Sequence, residues 1–255
     1  MDPLHQALSG AQHVLRPPIA TLQRLLLVGA GGVLGSAVLA EVLVTGRFLQ
    51  VRALVAEPLA SAVKGLLPLP QQALQSAPAL QAEVAVIVFE RQRHSNGRDD
   101  AFVQPQVEDL LALARSLRQR GVRRLLVVVP HAPALLPQAL AHGLASLDET
   151  AVVALGFEHL VFLRASQSAA PKSADGPLQR FAAWWLSQLN WMVPQRQQPL
   201  RATALARCVA LLAQQLPTLQ PGTRVVAPET LWLWSQHPEG LTAALAAQWA
   251  PTALA

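Results

Sequence analysis

The sequence predicts an α/β fold built on a doubly wound parallel sheet, with a small C-terminal helical subdomain. Three observations lead there. Short apolar runs of strand length alternate along the chain with segments of helical period. Residues 25–35, Leu-Leu-Leu-Val-Gly-Ala-Gly-Gly-Val-Leu-Gly, form a buried-strand run that ends in a glycine turn and opens an apolar helix. The 255 residues are 52% hydrophobic and 14% charged, which supplies a large core and argues against disorder.

Arg24–Val28 is the first strand, and its helix runs to about Thr45. Val51–Val55 is the second. The connection through Pro58, Pro68, Pro70 and Pro78 leaves room for only a weak third strand, within Gln72–Leu80. Val84–Phe89 is an unbroken apolar fourth strand. The polar segment Glu90–Asp100 follows, then a helix from about Val103 to Arg120 that Gly121 ends. Arg124–Val129 is the fifth strand, 138–155 a helix capped by Gly156, and His159–Leu163 the sixth strand. The last third adds a tryptophan-rich helix (Phe181–Trp191), a helix over Ala202–Leu216, a short strand at Thr223–Val226 and a C-terminal helix. The expected organisation is an N-terminal extension (1–22), a Rossmann-type core (23–165) and a helical subdomain (166–255) that completes the same domain.

Gly29, Gly32 and Gly35 give a G-x-x-G-x-x-G spacing, and Gly31 adds a fourth glycine. Such a turn suits a diphosphate, because glycine lets the backbone approach the ligand and the following helix presents free N–H groups to the anion. Gly29, Gly31, Gly32, Val33, Leu34 and Gly35 are therefore the expected cofactor-binding residues. Two other readings of the segment exist: a purely structural turn, and a transmembrane helix over the nearly continuous apolar run Leu25–Val44. Glu41 and the glycine cluster weigh against the second.

A sequence pI of 10.9 overstates how basic the chain is. Net charge is +5, there is no tyrosine, and the cations are almost all arginine, so few groups titrate between neutrality and arginine's pKa. The arginines are scattered rather than set in a stripe with aromatics, so nucleic acid is not an expected partner. Cys208 is the only cysteine and reads as a small core residue, which excludes an intrachain disulfide. Met1–Arg24 lacks a basic start followed by an apolar stretch, so a cytoplasmic protein is expected. The seven histidines show no metal-ligand spacing, and no G-x-S-x-G elbow starts a serine hydrolase.

In order and spacing these pieces resemble the atypical short-chain dehydrogenase/reductase group, in its NAD(P)-binding branch related to the tumour-suppressor oxidoreductases. The resemblance rests on the Gly29–Gly35 loop, Val51-Arg-Ala-Leu-Val55, Ala85-Val-Ile-Val88 and Gly121-Val-Arg-Arg-Leu-Leu-Val127. Leu155–Arg164 and the stretch from Pro199 to Leu212 extend it over roughly residues 22–230. It implies NAD or NADP as cofactor. It also implies a Tyr-x-x-x-Lys pair and a serine after the fifth strand, in which the lysine tunes the tyrosine to exchange a proton as hydride moves. None of these is in place. The chain has no tyrosine, its lysines are Lys64 and Lys172, the pair's positions fall near Ala141 and Ala145, and the strand ends in Val129-Pro130. At the second strand's exit, Glu57 stands where a carboxylate would bond ribose hydroxyls, which leans toward NAD. After the fourth strand Phe89-Glu90 is bulkier than the small residues that normally let the cofactor pass. Phe89 either lines the adenine side or closes the cleft.

His131, directly after the fifth strand, is the catalytic candidate, or else part of a stiff Pro-His-Ala-Pro loop. Arg91–Asp100 is a polar loop able to meet an anion, and Ser166 lies where the family begins its substrate pocket. Phe181, Trp184 and Trp185 share a helical stripe that reads as core or as a protein or self-association contact, with a membrane-surface helix as the alternative. The expected function is an NAD(P)-binding relative of this group without its catalytic pair, acting as a regulatory or scaffold protein. The alternative is an NAD(P)H-dependent oxidoreductase or isomerase of non-standard mechanism.

Overall fold

The computed structural model describes residues 23–58, 63–76, 79–90, 99–131, 147–166, 201–236, 243–245 and 249. In chain order these form β1 (Gln23–Val28), α1 (Gly32–Thr45), β2 (Phe48–Val55), β3 (Leu66–Pro70), α2 (Gln71–Ser76) and β4 (Val84–Val88). Then come α3 (Leu110–Gln119), β5 (Arg124–His131), α4 (Leu147–Val153), β6 (His159–Ser166), α5 (Ala202–Gln215), β7 (Gly222–Val226) and α6 (Pro228–Gln236). The seven strands make one sheet in the order β3-β2-β1-β4-β5-β6-β7, and every neighbouring pair runs parallel. This is the doubly wound Rossmann order, with a seventh strand added beyond β6.

Strand alternation assigns each side chain to a layer. Leu25 and Leu27, Val84, Val86 and Val88, and Val161 and Leu163 face one apolar core, which contains Leu34 and Val38 of α1, Leu205 and Val209 of α5, and Leu231 of α6. Leu26 and Val28, Ala85 and Ile87, and Leu160 and Phe162 face the other, with Leu74 of α2, Leu110 and Leu117 of α3 and Val152 of α4. Covering both faces is what an all-parallel sheet requires. The apolar run Leu25–Val44 thereby divides into a central strand and a helix packed against α5. Among the described residues no helix is long and apolar enough to cross a membrane. The strand at residues 222–226 pairs with β6, and α5 packs on α1, so these elements share the sheet and core of the first strands.

Two expected elements are placed differently. The third strand lies at Leu66–Pro70, ahead of Gln72–Leu80, where the chain forms α2 instead. Val51 donates its N–H to the Gly65 carbonyl, so alternation turns residues 67 and 69 toward β2 and Pro68 and Pro70 away from it. An edge strand tolerates prolines whose missing N–H faces outward. The expected helix from Val103 starts at Leu110, after a 3-10 turn at Val107–Asp109. Pro105 disfavours helix in the residue before it, and Gln106 and Asp109 close a capping box across the turn. The helix expected over Phe181–Trp191 lies outside the described residues.

Two consequences can be measured. Burial pushes the Cys208 thiol up to about 11, so the native protein should not react with a thiol reagent at pH 8 and the unfolded chain should. His159 is buried at the amino edge of β6, where its Nε2 lies 3.0 Å from the Leu219 carbonyl oxygen. Desolvation lowers its pKa against the raising effects of that bond and of Glu158, with Arg124 and Arg224 adding to the lowering. The unfolded chain therefore binds this proton first, and stability should fall as pH drops below about 6.5 toward the lowered folded value. Urea unfolding at pH 5 and pH 7.5 measures the loss, and His159→Gln should flatten it.

Candidate functional site

Every strand exits at the same edge of the sheet. Between β1 and β4 the winding reverses direction, the place where open parallel sheets leave a crevice. Gly29–Gly35 sits on one side of it. Gly29 and Gly32 have φ of 84° and 75°, a region L side chains rarely enter. A Cβ on Gly29 would strike the Val88 carbonyl oxygen and lie 3.3 Å from Pro105 Cδ, and one on Gly35 would strike the Gly29 carbonyl oxygen. Gly35 thus lets α1 descend close onto the turn. Gly31 is the N-cap in extended conformation, without a side-chain cap, and the first turn of α1 holds no acidic residue. Val33 is exposed and the Leu34 side chain is buried. The first-turn N–H groups face the crevice and need an anion or acceptor.

The protein supplies one itself. Val28 pairs with Ile87, which sets the exits of β1 and β4 side by side and brings Glu90 over the glycine turn. The Leu34 N–H donates to both Glu90 carboxylate oxygens, at 3.1 Å to Oε1 and 3.0 Å to Oε2. Gly35 N–H donates to Oε2 at 3.4 Å. A Cβ on Gly32 would meet Glu90 Oε2. A carboxylate at a helix N-terminus contributes about 0.3–2 kcal/mol, depending on exposure.

A second segment enters the crevice beside it. Ala56 N–H donates to the Ala101 carbonyl at 3.0 Å and Val103 N–H to the Leu54 carbonyl at 3.1 Å, making an antiparallel bridge of Val55 with Phe102. Leu54 and Ala56 turn these groups toward the β1 side of β2, beyond the last β1 pair, Leu27 with Ala53. Residues 101–103 therefore continue the line of β1 past its own end.

The remaining expected site residues stand at other strand ends of the same edge. Glu57 is exposed just past the end of β2. Phe89 is buried in the core layer of α3, with its N–H on the Val128 carbonyl. His131 and Ser166 are paired in register at the last residues of β5 and β6. Of the polar loop, residues 91–98 lie outside the described set, as do 141 and 145, and Asp99–Ala101 forms a single 3-10 turn. No cluster able to hold a metal occurs among the described residues. Glu90 is the residue whose role the sequence reading missed. Its only signal was a charged side chain where the cofactor's passage wants a small one.

A dinucleotide on this loop would have its diphosphate on the N–H groups of Leu34 and Gly35. Glu90 already holds both and would set a negative charge against the phosphates. The glycine turn has the shape for the group, and Glu90 stands where the group would bind. Separately, Gly35→Ala should lower stability by about 1–3 kcal/mol, the usual cost of overpacking, as read from the urea midpoint. An unchanged midpoint would disprove the close approach.

No protein-family model matches the chain, and neither does any curated protein sequence. Solved structures match it at low identity. A short-chain dehydrogenase/reductase superfamily protein from Agrobacterium tumefaciens with bound NAD is 17% identical, with a TM-score of 0.46 over 80% of this chain and 77% of that one. A putative NAD-dependent epimerase/dehydratase from Bacillus halodurans is 15% identical, with a TM-score of 0.46 over 79% and 92%. The Bordetella bronchiseptica enzyme WbmG in complex with NAD is 17% identical, with a TM-score of 0.38 over 83% of each chain.

Proposed function

We propose that this protein uses a Rossmann fold as a regulatory or scaffold module and carries out no hydride transfer. The observation that supports this most is the Glu90 carboxylate on the Leu34 and Gly35 N–H groups, the donors a cofactor diphosphate would need. The sequence adds its own support, since the chain has no tyrosine and its lysines at 64 and 172 lie away from the helix before β6. The tuned phenol that would exchange a proton with a carbonyl oxygen as hydride moves is thus missing from the sequence. NAD or NADP, on this reading, is a ligand of the fold in a displaced state rather than a redox partner. A cytoplasmic setting suits a chain with one unpaired, buried cysteine.

The test is direct. Purified full-length protein with NADH or NADPH and a panel of aldehydes and ketones should show no loss of absorbance at about 340 nm beyond the buffer rate, within the sensitivity of typical turnover. Protein-dependent oxidation of either cofactor would overturn the reading. If that oxidation also disappeared in His131→Ala, it would establish an oxidoreductase of non-standard mechanism.

A further inference from the structure

We infer that Glu90 is an intramolecular competitor for the diphosphate place of the glycine loop, and that removing its charge opens that place to a pyrophosphate group. This rests on the reading of the loop as a diphosphate site and names what regulates it. Three features carry the inference. The carboxylate is bidentate on Leu34 N–H and reaches Gly35 N–H, so it takes these two donors rather than resting near them. It lies over Gly32, where even a Cβ would collide with it. It comes from 56 residues away in sequence, at the exit of the neighbouring strand.

The contact is also of a kind that can be broken. Glu90 is only partly buried, and it follows the last residue of β4 rather than lying within the ladder. Displacing it unpairs no strand. A ligand that needs the same N–H groups binds only the fraction of molecules in which Glu90 has moved away, so its apparent affinity is reduced by that fraction. Closing contact and ligand are thus linked in one competition, and the linkage works in both directions.

Inorganic pyrophosphate is the probe, titrated into the full-length wild type, Glu90→Ala and Glu90→Gln and followed by calorimetry and by the amide resonances of Leu34 and Gly35. Glu83→Gln is the control. It removes one negative charge at the opposite end of β4, where Glu83 bonds Arg24 N–H. Glu90→Ala should bind pyrophosphate roughly tenfold more tightly than wild type, a coupling within the usual range for linked equilibria, with both amides shifting. Glu83→Gln should bind as wild type does. Equal affinity in wild type and Glu90→Ala would overturn the inference, as would an equal gain in the control, which would mark a general charge effect. Should Glu90→Ala lose its cooperative melt, Glu90→Gln decides by the same criterion, since it removes the charge at nearly the same side-chain size. Failure here would leave the absence of hydride transfer standing, because that is read from turnover. Turnover by the wild type would sink the proposed function and leave the pyrophosphate comparison measurable.

Discussion

The parallel ladder at the centre of the molecule governs the rest. β1, β4, β5 and β6 are hydrogen-bonded on both edges and apolar on both faces, so each face has to be covered before the sheet is stable in water. Leu25 and Leu27 look one way and Leu26 and Val28 the other, and the helices divide accordingly. α1, α5 and α6 close one layer and α2, α3 and α4 the other. α1 is apolar almost all round because it meets the sheet on one side and α5 on another. Parallel pairing also forces every connection to return to the same starting edge. All strand exits therefore gather at the opposite edge, and the glycine turn, Glu57, Glu90, His131 and Ser166 are all found there.

At that edge one electrostatic requirement decides the character of the site. The first turn of α1 has no side-chain cap and no acidic residue, so its N–H groups and the positive end of its dipole need a partner from elsewhere. A phosphate meets that requirement in a dinucleotide-binding protein. In this chain a carboxylate from the adjacent strand meets it, and the pairing of Val28 with Ile87 is what brings that carboxylate within reach. Residues 101–103 add to the closure by running along the line of β1 beyond its end. The fold feature that makes a phosphate site thus equally makes a place for the protein's own anion.

Much of the fold could be read directly from the sequence, because its strongest signals are local. An apolar run ending in Gly29 marks β1, and the periodicities behind α1 and α5 and the strands at 84, 124 and 159 are carried by consecutive residues. The errors fall where a neighbour changes the meaning of a residue. Pro68 and Pro70 argue against a strand until the strand is known to be an edge with those positions turned outward. Val103 continues a helical pattern until Leu54 offers it a backbone partner.

The sequence by itself determined the strand–glycine–helix unit, the doubly wound class and the lack of a tyrosine–lysine pair, since each depends on residue type and short spacing alone. Only the tertiary structure decided what lies on the glycine loop. Glu90 and Leu34 are separated by the whole of β2, β3 and β4 and their connections, and nothing local relates them. The order and register of the sheet set them side by side, and a helix terminus in need of an anion takes the one that the register delivers.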